Sequence, residues 1–303
     1  MHAVIAVGIA LLIQGQREPF RLKGPGSEID IWNSHLSLEL IPTGTRAEVK
    51  GSPAQIAVRE AGMAFFGNSI TADLATDEKG RGYVSNAAFT DSARLVFDFN
   101  SMMDFLREIG GPIEDFPPGT PNPAHAEFTA ARFSYDGTYE TGTLHFPVPF
   151  DLTANGASLD KVKKGDALLD RQSTYVFRMH GVSGDLGVFV KADPKTLPLR
   201  TGTLNGPVTL HARRESTLGG QPELPGEINA TADRMEYDFV SAVHTVSLTG
   251  NVKLDGLHQT YAGSSTGARV VLTFGADNQV KKVEIEQAET NLKPQPKPGG
   301  GAR

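Results

Sequence analysis

The chain has 303 residues, a formal net charge of −6 and no cysteine. This length allows one or two domains with a sizeable core. The lack of cysteine excludes a disulfide framework, thiolate catalysis and zinc bound by cysteine. No basic patch occurs, so nucleic acid is not expected as a partner. The 33 glycines, the 19 prolines and the regularly spaced turn signals favour an all-β protein.

The N-terminal sequence predicts export. Residues 3–13 form an apolar run that is too short to span a bilayer but typical of the central part of a signal peptide. The polar residues 14–16 end this run. We therefore predict a signal peptide over residues 1–16. The alternative is a buried strand or helix at the edge of a domain.

Residues 27–215 are predicted to form an N-terminal β region. Apolar and polar residues alternate in Glu28–Trp32 and in Leu36–Leu40, which is typical of strands with one covered face. One segment differs from this pattern and predicts a short amphipathic helix near residues 101–110, followed by a proline-rich loop over residues 112–123. Its apolar residues at helical spacing are Met102, Phe105, Leu106 and Ile109.

Residues 216–227 are predicted to be a linker, because glycine and proline are frequent there. A second β domain is predicted over residues 228–290. Residues 291–303 repeat lysine, proline and glycine and cannot bury apolar surface, so a disordered tail is predicted.

The domain over residues 228–290 has the clearest strand pattern. Apolar side chains occur mostly at every second position, with turn or bulge signals at Gly250–Asn251 and Gly275–Asn278, which predicts a meander of antiparallel strands. The residues of this pattern are Val246, Leu248, Val252, Leu254, Val270, Leu272, Val283 and Ile285.

The same stretch resembles the OstA-like (LptA-like) domain family of lipopolysaccharide transport. The resemblance rests on Ala232–Asp233, Tyr237–Asp238, Val246–Leu254, Gly267–Leu272 and Val280–Ala288. It implies an antiparallel jelly-roll or β-taco strand stack with an apolar interior. It also implies a periplasmic protein whose interior holds the acyl chains of lipopolysaccharide, and whose units join end to end through their terminal strands. The eight alternating residues would then line the lipid groove.

A second segment carries a similar pattern. Residues 128–152 align with residues 229–254, with Thr129–Arg132 matching Thr231–Arg234 and Tyr135–Asp136 matching Tyr237–Asp238. This similarity predicts a divergent internal repeat, so that the N-terminal β region contains a second unit of the same kind.

Catalytic and metal-binding motifs are lacking. The sequence contains no G-x-S-x-G, no P-loop, no dinucleotide fingerprint and no H-E-x-x-H, and its histidines are scattered. His145 and His211 lie in alternating strands and are expected to face solvent. The carboxylates of Asp73–Glu78 lack the ligand spacing of a calcium loop, which favours a solvated turn. We predict no enzymatic activity, no cofactor and no metal.

Three functions remain open. The first is a periplasmic lipid-binding protein of lipopolysaccharide transport and outer-membrane assembly. Its partners would be lipopolysaccharide or a similar acylated lipid, and other β domains of this transport system. The second is a structural or adhesion β-repeat protein of the cell envelope, with the same strands closed over a filled core. The third is an extracytoplasmic glycan hydrolase, which needs two carboxylates facing each other in a cleft.

Overall fold

The computed structural model describes residues 19–24, 27–108, 125–190, 198–257, 261–275, 280–286 and 289–294. The predicted signal peptide, the proline-rich loop and most of the predicted tail lie outside these residues.

The described chain is nearly all β, as the alternating patterns predicted, and it contains one short helix. The strands are β1 (Phe20–Gly24), β2 (Ser27–Trp32), β3 (His35–Ile41), β4 (Gly44–Val58), β5 (Met63–Thr76), β6 (Gly82–Asp98), β7 (His125–Gly137), β8 (Thr141–Phe146), β9 (Phe150–Lys164), β10 (Ala167–Gly181), β11 (Ser183–Phe189), β12 (Leu199–Leu218), β13 (Gln221–Pro222), β14 (Gly226–Asp238), β15 (His244–Leu257), β16 (Tyr261–Phe274), β17 (Val280–Glu286) and β18 (Glu289–Pro294). A 3-10 turn covers Arg59–Ala61, and the helix α1 covers Phe99–Glu108.

The helix lies where the sequence predicted it, but it starts earlier. The carboxylate of Asp98 accepts a hydrogen bond of 2.9 Å from the backbone N–H of Asn100, so Asp98 caps the helix. Met103 and Phe105 are the side chains that α1 buries most deeply among those described. The all-β prediction with a single short helix is confirmed.

The chain divides into two compact units that interleave in sequence. Unit 1 contains residues 1–113, 127–150 and 187–193, and unit 2 contains residues 114–126, 151–186 and 194–303. The predicted boundary at residue 215 therefore does not separate the two units. Sequence composition could not reveal this division, because contacts between distant strands define each unit.

In unit 1, β4 is the central strand of an antiparallel arrangement. One edge of β4 pairs first with β3 and then with β2, and its other edge pairs with β5, which in turn pairs with β6. Aromatic rings fill the core: Phe65 stacks on Phe89 at 4.9 Å between ring centroids, and Phe89 contacts Phe133 at 4.6 Å. Phe146 and Phe150 continue this cluster at 4.2 Å.

In unit 2, the antiparallel strands follow the order β9, β10, β12, β14, β15, β16, and β16 then pairs with both β17 and β18. The predicted turn at Gly250–Asn251 is a bulge inside the continuous strand β15, where the register shifts between Thr249 and Val252. Gly250 and Asn251 both have positive φ there, and the Asn251 side chain donates a 2.8 Å hydrogen bond to Asp233 on β14.

Residues 216–227 are not an extended linker. They form the end of β12, a turn, the two-residue strand β13 and the start of β14, and β13 pairs back onto β12. The beginning of the predicted tail also differs from expectation, because residues 291–294 belong to β18. Residues 295–303 lie outside the described residues.

Candidate functional site

Six of the eight residues predicted to line a lipid groove lie on one face of unit 2. Strand register places Met235, Leu248, Val270 and Ile285 in one row across β14, β15, β16 and β17. A parallel row contains Tyr237, Val246, Leu272 and Val283. Because side chains alternate between the two faces of a strand, both rows belong to a single apolar face. Val252 and Leu254 follow the bulge, which inverts the alternation: they pair with Gly267 and Ser265 of β16 and so point to the other side of the sheet.

Burial differs among these residues. Val246, Leu248, Val252, Val270 and Leu272 are buried, and Leu254 and Ile285 are half-buried. Val283 on β17 is 45% exposed. The chain therefore covers most of the apolar face itself and leaves it accessible at β17.

Strand β17 has an alternating surface at this accessible end. The exposed Val283 lies between Lys282 and Glu284, which form an ion pair at 2.5 Å on the opposite face. Charged residues along such a strand limit uncontrolled strand pairing. An apolar side chain between them remains available to an apolar ligand.

Two carboxylates of the Asp73–Glu78 segment, Asp73 and Asp77, have arginine partners. Asp73 accepts two hydrogen bonds from Arg46, at 2.7 and 3.0 Å, and these bonds hold the pKa of its carboxyl below the usual value. Asp77 accepts bonds from the backbone N–H of Lys79 and Arg81 and from the Arg81 side chain. Within the described ranges, no group of three or more His, Cys, Asp or Glu side chains could hold a metal ion.

A second feature of unit 2 escaped the sequence analysis. The polar face of β9, β10, β12, β14 and β15 forms an open groove with a volume of about 500 Å³. Its exposed or half-exposed side chains are Asp151, Thr153, Arg178, His180, Thr209, His211, Asn229, Thr231, Lys253 and Asp255. These residues are spread over a long stretch of sequence. One sequence signal could have indicated them. On each of these strands, a polar residue precedes and follows one buried or half-buried apolar residue, and strand pairing brings these polar residues into register.

Two histidines in this groove have fixed orientations. The Nδ1 atom of His180 lies 2.9 Å from Oδ1 of Asp151, and Nδ1 of His211 lies 2.7 Å from Oδ1 of Asn229. Since both partners are oxygen acceptors, Nδ1 is the donor in each pair, and Nε2 is the ring nitrogen left for a ligand. His211 is half-exposed, as the strand pattern predicted.

Comparisons with protein-family models, curated proteins and solved structures each gave no match to this chain. No helix among the described residues is long and apolar enough to cross a membrane.

Proposed function

We propose that the protein is a periplasmic lipid-binding protein of the OstA-like kind, acting in lipopolysaccharide transport after removal of residues 1–16. The observation that supports this proposal is the continuous apolar face of unit 2. Six of the eight alternating residues share this face over β15, β16 and β17, and one end of it, at Val283, is accessible. In this proposal the strands form the jelly-roll or β-taco stack that the sequence resemblance implies.

The energetics of acyl-chain binding fit such a face. Each methylene removed from water contributes about 0.8 kcal/mol, so a lipid with several acyl chains is retained without a specific polar contact. Because most of the face is covered in the chain itself, acyl chains would enter at β17 and displace part of the cover. The same terminal strands, β17 and β18, would pair with another β domain by strand addition.

The test uses the full chain, exported from a bacterium that makes lipopolysaccharide. Native mass spectrometry and lipid extraction would be applied to the wild type and to Val283→Asp and Ile285→Asp, two positions that are exposed or half-buried. An aspartate in contact with acyl chains costs about 1–3 kcal/mol, so roughly tenfold less bound lipid is expected. The intact mass also reports whether residues 1–16 are removed.

Thr273→Asp is the matched control. Thr273 lies on β16 opposite Lys282, on the polar face of the same strands. Its replacement by aspartate adds the same negative charge as Val283→Asp and Ile285→Asp. It should leave bound lipid unchanged. The proposal is contradicted if the wild type is free of lipid after incubation with lipopolysaccharide. It is also contradicted if Thr273→Asp loses as much bound lipid as Val283→Asp and Ile285→Asp.

A second candidate is a structural β protein of the cell envelope. One observation favours it: five of the eight predicted groove residues, Val246, Leu248, Val252, Val270 and Leu272, are buried by the chain itself. In a structural protein, lipopolysaccharide would not change the thermal unfolding temperature. In a lipid carrier, bound lipid stabilises the folded state and raises that temperature.

A further inference from the structure

The polar groove lies on the opposite side of its strands from a set of buried apolar residues. Leu152, Met179, Leu210 and Ala230 are buried, and each lies between two residues that line the groove. The same strands therefore present an apolar surface on one side and a hydrogen-bonding surface on the other. We propose that this groove binds a short, uncharged oligosaccharide.

The groove side chains form two rows in strand register. In the first row Arg178 lies opposite His211, His211 opposite Asn229, and Asn229 opposite Asp255. In the second row His180 lies opposite Thr209, followed by Thr231 and Lys253. Asp151 extends this second row through its hydrogen bond to His180. The rows are about 7 Å apart, because they differ by two residues along each strand.

The size and shape of the groove suit a chain of sugar rings. Its volume of about 500 Å³ lies within the range of roughly 300–1,000 Å³ that is typical of small-molecule sites. From β9 to β15 the strands extend over about 19 Å, given a spacing of about 4.8 Å between neighbours. This length matches a short oligosaccharide better than a single sugar.

The charges of the groove favour a neutral ligand. Arg178 and Lys253 are cationic, Asp151 and Asp255 are anionic, and the other polar groups are hydroxyls, an amide and two imidazoles. A polyanion would meet the two carboxylates, so an anionic ligand is disfavoured. No aromatic residue is among the side chains that line the groove, so a flat apolar ligand would find little surface.

The hydrogen-bonding capacity matches sugar hydroxyls, which both donate and accept. The Nε2 atoms of His180 and His211 supply hydrogen-bonding ring nitrogens, and Thr209 and Thr231 supply hydroxyls. Among the described residues, no side-chain partner is recorded for Arg178, Lys253 or Asp255. These groups are available to a ligand without breaking an existing bond.

The groove is arranged for binding and not for two-carboxylate hydrolysis. Asp151 on β9 and Asp255 on β15 are separated by three strands, which corresponds to about 19 Å along the sheet. Glycosidase carboxylates lie about 5–9.5 Å apart. The proposal therefore names a non-catalytic site, and it does not depend on lipid binding at the apolar face.

The test is isothermal titration calorimetry of the full chain with maltotetraose, cellotetraose, chitotetraose and mannotetraose, none of which carries an acyl chain. At least one should bind saturably, and Asn229→Ala and Asp255→Ala should each weaken that binding about tenfold. Thr249→Ala, an exposed position on β15 outside the groove, should not change it. Inositol hexaphosphate serves as the anionic probe and should bind no more tightly than the oligosaccharides.

A histidine NMR readout places the ligand. Addition of the bound oligosaccharide should shift the imidazole resonances of His180 and His211 but not that of His145, which pairs with Asp136 in unit 1. The proposal is overturned if none of the four oligosaccharides binds at millimolar concentration or if binding persists unchanged in both groove variants. Preference for inositol hexaphosphate would replace it with an anion site. No probe contains lipid, so a lack of oligosaccharide binding would not contradict the proposed lipid binding. Likewise, a lack of bound lipid would not contradict oligosaccharide binding in the groove.

Discussion

The ring of Tyr237 on β14 packs directly over Gly202, its register partner on the neighbouring strand β12. A Cβ atom at Gly202 would lie only 2.4 Å from Cε1 of Tyr237. The other repeat segment has a related close approach. A Cβ at Gly142 on β8, two residues from Leu144, the register partner of Tyr135, would lie 2.2 Å from Cε2 of Tyr135. In each case the strand approaches an aromatic ring so closely that only glycine fits.

Gly202→Ala should destabilise unit 2, because the new methyl group would overlap the buried ring of Tyr237. We expect a loss of about 1–3 kcal/mol in the free energy of unfolding, measured by denaturant titration. Thr201→Ala, at the exposed neighbouring position on β12, should change it by less than about 0.5 kcal/mol. Equal stability of Gly202→Ala and the wild type would show that the ring can move aside.

Tyr237→Phe should stabilise the protein slightly. The hydroxyl of Tyr237 is buried and has no hydrogen-bond partner in the described structure. An unsatisfied buried polar group costs about 1–3 kcal/mol, so its removal should raise the free energy of unfolding by about 1 kcal/mol. A clear loss of stability in denaturant titration would instead indicate that the hydroxyl has a partner in solution.

The same tyrosine should make unfolding sensitive to alkaline pH. Burial raises the pKa of Tyr237 above its ordinary value of 10.0. Above pH 10 the unfolded state loses this proton and the folded state keeps it, so the free energy of unfolding falls as pH rises. The slope is about 1.4 kcal/mol per pH unit. Tyr237→Phe should lose this contribution, and identical slopes for wild type and variant between pH 10 and 11 would refute the assignment.

The two repeat segments show how much the sequence could predict. Phe133 and Met235 are both buried, as are Tyr135 and Tyr237, at the positions that the alignment paired. Alternation also placed six of the eight groove residues on one face, because strand geometry makes every second side chain point the same way. It failed for Val252 and Leu254, because the bulge at Gly250–Asn251 adds one residue to β15 and inverts the alternation beyond it. Whether that face is open could not be predicted, since the residues that cover it are distant in sequence. The polar groove was missed for the same reason.

The predicted linker shows where composition misleads. Its glycines and prolines suggest a flexible segment, yet Glu223 in the middle of it accepts hydrogen bonds of 2.7 and 2.9 Å from Arg171 on β10. Ser216 adds a bond of 2.8 Å to the same carboxylate. Arg171 is far away in sequence, so nothing local indicates that this turn is anchored. Only the pairing of β10 with β12 brings the two residues together.

Glu223→Gln should destabilise unit 2 by about 2 kcal/mol, because it leaves the Arg171 guanidinium without an anionic partner in a site that is mostly buried. Glu215→Gln is the control: Glu215 pairs with Arg213 at 2.5 Å, but these side chains are 60% and 50% exposed, so the change should stay below about 0.5 kcal/mol. Denaturant titration measures both. Similar losses in the two variants would contradict the assigned role of Glu223.

The stabilisation by Glu223 should also depend on acid pH. Burial raises the pKa of this carboxyl, but hydrogen bonds from Arg171 and Ser216 outweigh burial and hold it below the ordinary value of 4.5. The stabilising contribution is complete above pH 4.5 and is lost as pH falls through the lower, folded-state pKa. The stability difference between wild type and Glu223→Gln should therefore shrink in acid. A difference that is constant with pH would show that the pair does not act through its charge.

Arg59 should be the residue that holds helix α1 onto unit 1. Its guanidinium donates to Glu28 and to Glu108 at 2.7 Å each, and it lies 5.2 Å from the ring centroid of Phe105. Arg59→Met would leave the buried Glu28 and Asp30 with Arg21, and Glu28 also with Lys23, as remaining cationic partners. We expect a loss of about 2–3 kcal/mol, less than for a fully unpaired buried charge, and faster hydrogen exchange in α1.

Glu108→Gln removes only the exposed arm of this network, since the Glu108 side chain is 58% exposed. It should cost less than about 0.5 kcal/mol and leave hydrogen exchange in α1 nearly unchanged. If Glu108→Gln loosened the helix as much as Arg59→Met, the surface ion pair would hold the helix. If only Arg59→Met does so, the contacts of Arg59 with Glu28 and the Phe105 ring hold α1 in place.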